Sequence, residues 1–309
     1  MAPAARIPSM DFPMTRPPAS PRDARHAISE KLEALREAHG RSKVLLFVGA
    51  GLSAGLGLPP WDALIEHMAR ELGEDPEAFR AKGSYLTLAE YFRIAHGSIG
   101  PLRSWMDREW HRTDVDIGKS RVHALLAKGR FPIIYTTNYD RWLECAFDHH
   151  KVAYTRIISV ADLARIQPDA TQIIKFHGDL EDDATIVLDE SSYFRRLDFE
   201  SPLDIKLRAD ILGRSVVFLG YSLTDMNIRY LFYRLSRLWK SSVPDTAQPA
   251  CYLLTPSAND VQRAVLAQWG IEIVPLQDSD PTAALEQFLE GIVGPEVHGR
   301  RATKAGRPT

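Results

Sequence analysis

Cysteine is nearly absent from this sequence: Cys145 and Cys251 are the two in 309 residues. Two thiols far apart in the chain cannot build a four-cysteine zinc site and give no disulfide framework, so a reducing cytoplasm is expected. Long apolar runs are missing as well. No stretch approaches the roughly 20 residues that span a bilayer, and the N-terminal MAPAARIPSMDFPMTRPPASPRD has no continuous apolar core of the signal-peptide kind. Neither sign of charge dominates, and a formal net charge of −2 gives no global electrostatic reason to expect nucleic acid or an anionic membrane. What is present is ordinary globular material, 45% hydrophobic and 25% charged. That excludes disorder over most of the chain and leaves room for one large α/β domain with a smaller companion.

Hydrophobic patterning organises the rest. Continuous apolar runs at 43–49, 131–138, 172–178 and 215–222, with YTRIIS, ACYLLT and IEIVPL, predict strands; ATIVLDE (184–190) predicts one more. Helical spacing is read at 27–40, 60–73, 139–149, 203–213 and 225–239, and PTAALEQFLEGIV closes the fold. The alternation predicts a Rossmann-like, mainly parallel sheet with helices on both faces. Between about 75 and 130 the signal is almost wholly helical. The expected division is therefore a flexible arm at 1–22, an α/β domain at 23–74 and 131–297, an inserted helical module at 75–130, and a disordered basic tail at 298–309.

In such sheets ligands sit beyond the carboxyl ends of the strands, and four strand ends carry polar groups. GAGLSA (49–54) places Gly49, Gly51 and Ala54 in a G-x-G-x-x-G/A pattern that lets backbone N–H groups approach a pyrophosphate; a tight strand-to-helix turn needs the same glycines without any ligand. IIYTTNYD gathers Thr136, Thr137, Asn138 and Asp140, where either Asn138 or Asp140 could simply cap the next helix. IIKFHGDL offers His177, a core histidine or a general base. VVFLGYSLTD brings Gly220, Ser222 and Asp225, the last two at capping-box-like spacing. Glu181, Asp182 and Asp183 read as an acidic turn in preference to a metal site. Tyr230, Phe232, Tyr233 and Trp239 read as core or subunit interface. The convergence of four ends on one sheet edge is the stronger signal.

Taken together, GAGLSAGLGLPPW, TTNYD, KFHGD and GYSLTD resemble the motifs of a sirtuin, specifically the divergent prokaryotic sirtuin-like domains of antiphage defence proteins. The resemblance covers roughly residues 43–240. It implies an NAD-binding α/β domain plus a small module, here helical and lacking the cysteines of the sirtuin zinc module, so no zinc is expected. Gly49, Ala50, Gly51 and Ser53 would line the phosphate site, beside Thr136 and Thr137. Asn138 would contact the nicotinamide ribose or a water, supported by Asp140, and His177 would be the base. Gly220 and Ser222 would face the adenosine side, with Asp225 a further cofactor-binding residue. GLPPW stands where familiar deacylases resemble GIPDFR, which favours an NAD glycohydrolase that depletes NAD over the alternatives. Those are an NAD-dependent protein deacylase and a noncatalytic nucleotide-binding or assembly subunit. The resemblance further implies a homo-oligomer and a separately encoded partner, such as a HerA-type ATPase or an Argonaute-type protein.

Overall fold

The predicted apolar runs become the centre of the molecule. The computed structural model describes residues 21–197, 200–242, 249–256, 259–276, 278 and 280–294; residues 1–20 of the expected arm and the whole expected tail at 298–309 lie outside these. Among the described residues seven strands form one sheet: β1 (Val44–Val48), β2 (Ile133–Thr136), β3 (Tyr154–Ile157), β4 (Thr171–Lys175), β5 (Ser215–Leu219), β6 (Cys251–Thr255) and β7 (Ile271–Pro275). Their order is β3-β4-β2-β1-β5-β6-β7, and every neighbouring pair is parallel.

Parallel strands need crossovers, and the crossover helices cover both faces of the sheet. Side chains alternate along β1 accordingly: Leu45 and Phe47 join one apolar cluster, Val44, Leu46 and Val48 the other. Helices Pro202–Leu212 and Met226–Ser242 pack on the first face. Helices Pro21–Gly40, Arg121–Lys128, Trp142–His149 and Pro281–Val293 pack on the second. No helix of the described residues is long and apolar enough to cross a membrane.

A third apolar cluster belongs to the helical stretch. It runs from Leu58 through helices Trp61–Glu71, Pro76–Arg80, Tyr85–His96 and Gly100–Trp110, and it also takes in Tyr139, Trp142, Leu180, Ile186 and Leu188. The loops after β2 and β4 are thus wedged between sheet and helical cluster.

One strand expectation fails. ATIVLDE is a short 3-10 turn, Asp183–Thr185, followed by irregular chain. Its apolar residues are buried because Ile186 and Leu188 fill the helical cluster, so their hydrophobicity reports packing, not a sheet ladder. Two boundaries also move. The helix expected from Tyr139 starts at Trp142, and β4 ends at Lys175, leaving His177 in the following loop.

Candidate active site

The strand ends meet as their register dictates. Val48 pairs with Thr136 and with Leu219, and Thr136 with Lys175, so β4, β2, β1 and β5 finish level with one another. Beyond β1 the chain turns at Gly49 into the five-residue helix Ala50–Ala54. Gly49 N donates to Leu219 O (2.9 Å) and Gly51 N to Gly220 O (2.8 Å). This contact explains the glycines. A Cβ on Gly51 would lie 2.9 Å from Gly220 Cα, and one on Gly220, whose φ is +58°, would lie 2.5 Å from Leu52 N. The β1 and β5 loops therefore touch backbone to backbone, which a side chain would prevent.

Asn138 sits against this crossing. Its Nδ2 donates to Gly49 O (3.1 Å) and to Ser53 Oγ (3.0 Å); because a carbonyl only accepts, the orientation of the amide follows. Ser53 Oγ in turn donates to Asp140 Oδ2 at 2.6 Å, and Asp140 Oδ1 accepts from Trp142 N at 3.2 Å. Asp140 thus takes the first N–H of the helix from outside it, while Asn138 does not cap. Thr136 Oγ1 accepts from Asn138 N (3.0 Å), shaping the turn. Asn138, Asp140 and Ser53 are all buried.

His177 lies two residues past the end of β4, as Asn138 lies two past the end of the neighbouring β2, and it is 3% exposed. Its Nε2 is 3.2 Å from Asp225 Oδ2, although the approach lies outside hydrogen-bond geometry. Burial pushes the imidazole pKa down to about 4; Asp225 opposes that shift and Arg196 adds to it. The ring is therefore a neutral base at ordinary pH. Tyr193 packs edge-on against it, ring centroids 5.3 Å apart. Arg196 lies 4.0 Å over the Phe176 ring and donates to Phe176 O (2.8 Å) and Asp204 Oδ1 (2.6 Å). Tyr221 Oη, buried near Thr137 and Asp225, completes no hydrogen bond.

The residues expected at this edge are not all brought together. Gly49, Gly51, Ser53, Thr136, Asn138, Asp140 and Gly220 are joined by hydrogen bonds and backbone contact, and His177 faces Asp225; Ala50 is exposed at the start of the short helix, and Thr137 is half-buried at the end of β2. Ser222 points away: its Oγ pairs with Thr224 Oγ1 (2.9 Å) and its carbonyl accepts from Gln262 Nε2 (3.2 Å). The capping box read at Ser222 is not formed. Asp225 caps helix Met226–Ser242 itself, its Oδ1 accepting from Asn227 N at 2.9 Å, which leaves Oδ2 to face His177. A recess of about 310 Å³ lies on the far side of the β4 loop, lined by Phe176, Gly178, Val187, Ser192 and Arg196 among others; Asn138, Asp140 and His177 do not line it.

The acidic turn is accounted for by pairing. Glu181 bonds Arg156 (2.7 Å) and Arg141 (2.9 Å), and the Arg156 contact first of all pulls its carboxyl pKa down to about 2. Asp182 caps the 3-10 turn and Asp183 pairs with Arg103. Among the described residues no group of three or more His, Cys, Asp or Glu could hold a metal ion. Cys145 and Cys251 are free thiols, and burial pushes that of Cys251 up to about 12.

Sequence reading overlooked Lys175, Tyr193, Arg196 and Tyr221. Lys175 did leave a trace, as a lone charge ending the apolar run QIIK.

Residues 132–274 match the family model described as a SIR2-like domain. The chain is 31% identical over 194 residues to the NAD(+) hydrolase ThsA of Bacillus cereus (strain MSX-D12), covering 62% of this chain and 39% of the relative. It is 29% identical over 209 residues to the NAD(+) hydrolase ThsA of Cytobacillus dafuensis, covering 67% and 40%. To the Defense-associated sirtuin 2 of Bacillus subtilis it is 26% identical over 223 residues, covering 70% and 21%. The matches thus span two fifths or less of the length of these relatives.

Proposed function

We propose that this chain, which carries a SIR2-like domain over residues 132–274, is an NAD glycohydrolase that cleaves the nicotinamide–ribose bond to give nicotinamide and ADP-ribose. The observation that carries the reading is that Asn138 and a buried His177 held neutral each lie two residues beyond the level ends of the adjacent parallel strands β2 and β4. The ThsA hydrolases it is similar to bear NAD cleavage in their names.

The bond to be broken joins a cationic leaving group to an anomeric carbon, and its scission passes through an oxocarbenium-like state as in glycoside hydrolysis. Nicotinamide leaves as a neutral molecule, so no strong acid is required. What the reaction needs is an oriented ribose, a positioned water and a base. Asn138 spends Nδ2 on Gly49 and Ser53, so Oδ1 is the atom left to accept from water or a ribose hydroxyl. His177 accepts the ribose hydroxyl proton. Asp225 sets its negative charge beside the imidazole, and Asp140 holds Asn138 through Ser53.

Because Asn138, Asp140 and His177 are buried, NAD reaches them only when the chain that covers them moves. A closed cover supplies the off state that an NAD-depleting defence effector requires in its own host. Opening it is the step at which a partner acts, be it a HerA-type ATPase, an Argonaute-type protein or a further copy of the chain. The exposed Met226, Tyr230, Tyr233 and Leu238 along helix Met226–Ser242 support self-association.

The test is incubation of the purified chain with NAD, alone and with an acyl-lysine peptide, following nicotinamide, ADP-ribose and peptide. Equal nicotinamide and ADP-ribose, with the peptide intact, supports the glycohydrolase. Peptide deacylation matched to nicotinamide release replaces it with the deacylase. NAD binding with no nicotinamide, even beside candidate partners, replaces it with the binding subunit.

A further inference from the structure

Lys175 is fully buried at the end of β4, where a strand between two helical layers ordinarily carries an apolar residue. Its ammonium has three protons to place. Nζ donates to Tyr139 O at 3.1 Å and, more closely, to Asp140 O. The third direction faces two carboxylates, Glu144 Oε1 at 3.5 Å and Asp179 Oδ2 at 3.4 Å. Neither of those oxygens makes a hydrogen bond, and Arg156 stands 3.8 Å from Asp179 Oδ2.

Stability alone is a poor reason for this arrangement. Removing an ammonium and its partners from water costs several kcal/mol per ion, and apolar replacements of similar volume are often neutral or better. The acceptors chosen are more informative. Tyr139 and Asp140 directly follow Asn138, and Lys175 lies two residues before His177. The lysine therefore ties the loop bearing the amide to the end of the strand that leads into the base. A second tie runs in parallel, since Tyr139 Oη donates to Val187 O (2.6 Å) and Val187 N to His177 O (2.9 Å).

We propose that Lys175 is a positioning residue: with Glu144 and Asp179 it fixes the Tyr139–Asp140 turn so that Asn138 and His177 address the same ribose. This rests on the glycohydrolase reading for its catalytic consequence, though not for its geometry. A displacement of about 1 Å in a reacting constellation can cost on the order of 100-fold in rate. Substrate affinity, spread over the rest of the NAD molecule, changes far less.

Two variants test it, Lys175→Met and the triple Lys175→Met/Glu144→Gln/Asp179→Asn, the latter leaving no unpaired buried charge. Each is checked for folding, then read for nicotinamide release and for amide hydrogen exchange across residues 138–142. The expected result is kcat lower by about 10–100-fold, KM for NAD within about threefold of wild type, and faster exchange confined to that turn. A folded variant with wild-type kcat and wild-type exchange overturns the proposal. If the wild-type chain releases no nicotinamide, the glycohydrolase reading fails and the exchange data alone decide the positioning claim. If neither variant folds, ¹⁵N-lysine spectra of the wild-type chain decide it: slowly exchanging Lys175 ammonium protons uphold the tie, and exchange as fast as that of surface lysines overturns it.

Discussion

The Nε2 atom of His177 lies 3.2 Å from Oδ2 of Asp225, yet the two residues follow strands that are not neighbours. β4 and β5 are separated in the sheet by β2 and β1, about 14 Å at the usual strand spacing. Their loops close on each other beyond the ends of the central pair. The contact therefore brackets the place where β1 and β2 deliver their polar residues.

That relationship sets a pH dependence. The base role proposed for His177 requires a neutral imidazole, and burial lowers its pKa to about 4. Nicotinamide release is expected to be level from neutral pH down to about 5 and to fall as pH approaches 4, well below the ordinary histidine value of about 6.5. Asp225→Asn keeps the helix cap but removes the charge that raises the pKa, so its acid limb moves to lower pH. An inflection near 6.5 in the wild-type kcat/KM profile would contradict the assignment.

Removing the proposed base measures its contribution. His177→Ala should lower kcat by about 10²–10⁴-fold, the usual range for general acid–base assistance, in a protein with an unchanged circular dichroism spectrum. Near-normal turnover in that folded variant would sink the role given to His177.

Acid stability follows from the same burial. His123 and His177 are both held neutral with pKa lowered to about 4 by desolvation. In the unfolded chain they titrate near 6.5, so between 6.5 and 4 unfolding takes up protons. Stability from these groups is complete above pH 6.5 and declines as pH falls through that window, by up to about 1.4 kcal/mol per pH unit for each histidine. Urea melts at pH 7, 6 and 5 check this; midpoints that do not fall on acidification would refute it.

The glycine crossing predicts a structural failure. Gly220→Ala introduces a Cβ 2.5 Å from Leu52 N at a φ of +58°, a clash with backbone that no rotamer relieves. Non-glycine residues in the left-handed region cost about 1–2 kcal/mol before any collision. The variant should melt clearly lower than wild type, whereas Gly40→Ala, with nothing within 4 Å of the added atom, should not.

Much of this was legible in the sequence because local rules act at the strand ends. The apolar runs at 43–49 and 215–222 fall on β1 and β5, with one residue to spare at each end of β1 and three beyond β5, since a buried parallel strand has little else to be. ATIVLDE misled for a related reason: burial in a helical cluster and burial in a sheet select the same side chains. The role of the glycines at 49 and 51 was only half visible. A pattern shows that the backbone must be bare, but Gly220, some 170 residues away in the chain, shows against what. Lys175 and the Asp225–His177 contact depend on long-range pairing through the sheet, which no spacing encodes.

The central claim is that NAD is cut where Asn138 meets His177, and single-turnover nicotinamide release by wild type and Asn138→Ala tests it most directly. The account predicts release by the wild-type chain, with nicotinamide equal to ADP-ribose, and a rate in the folded variant lower by about 100-fold or more, with NAD still bound. Release at the wild-type rate from folded Asn138→Ala would contradict it.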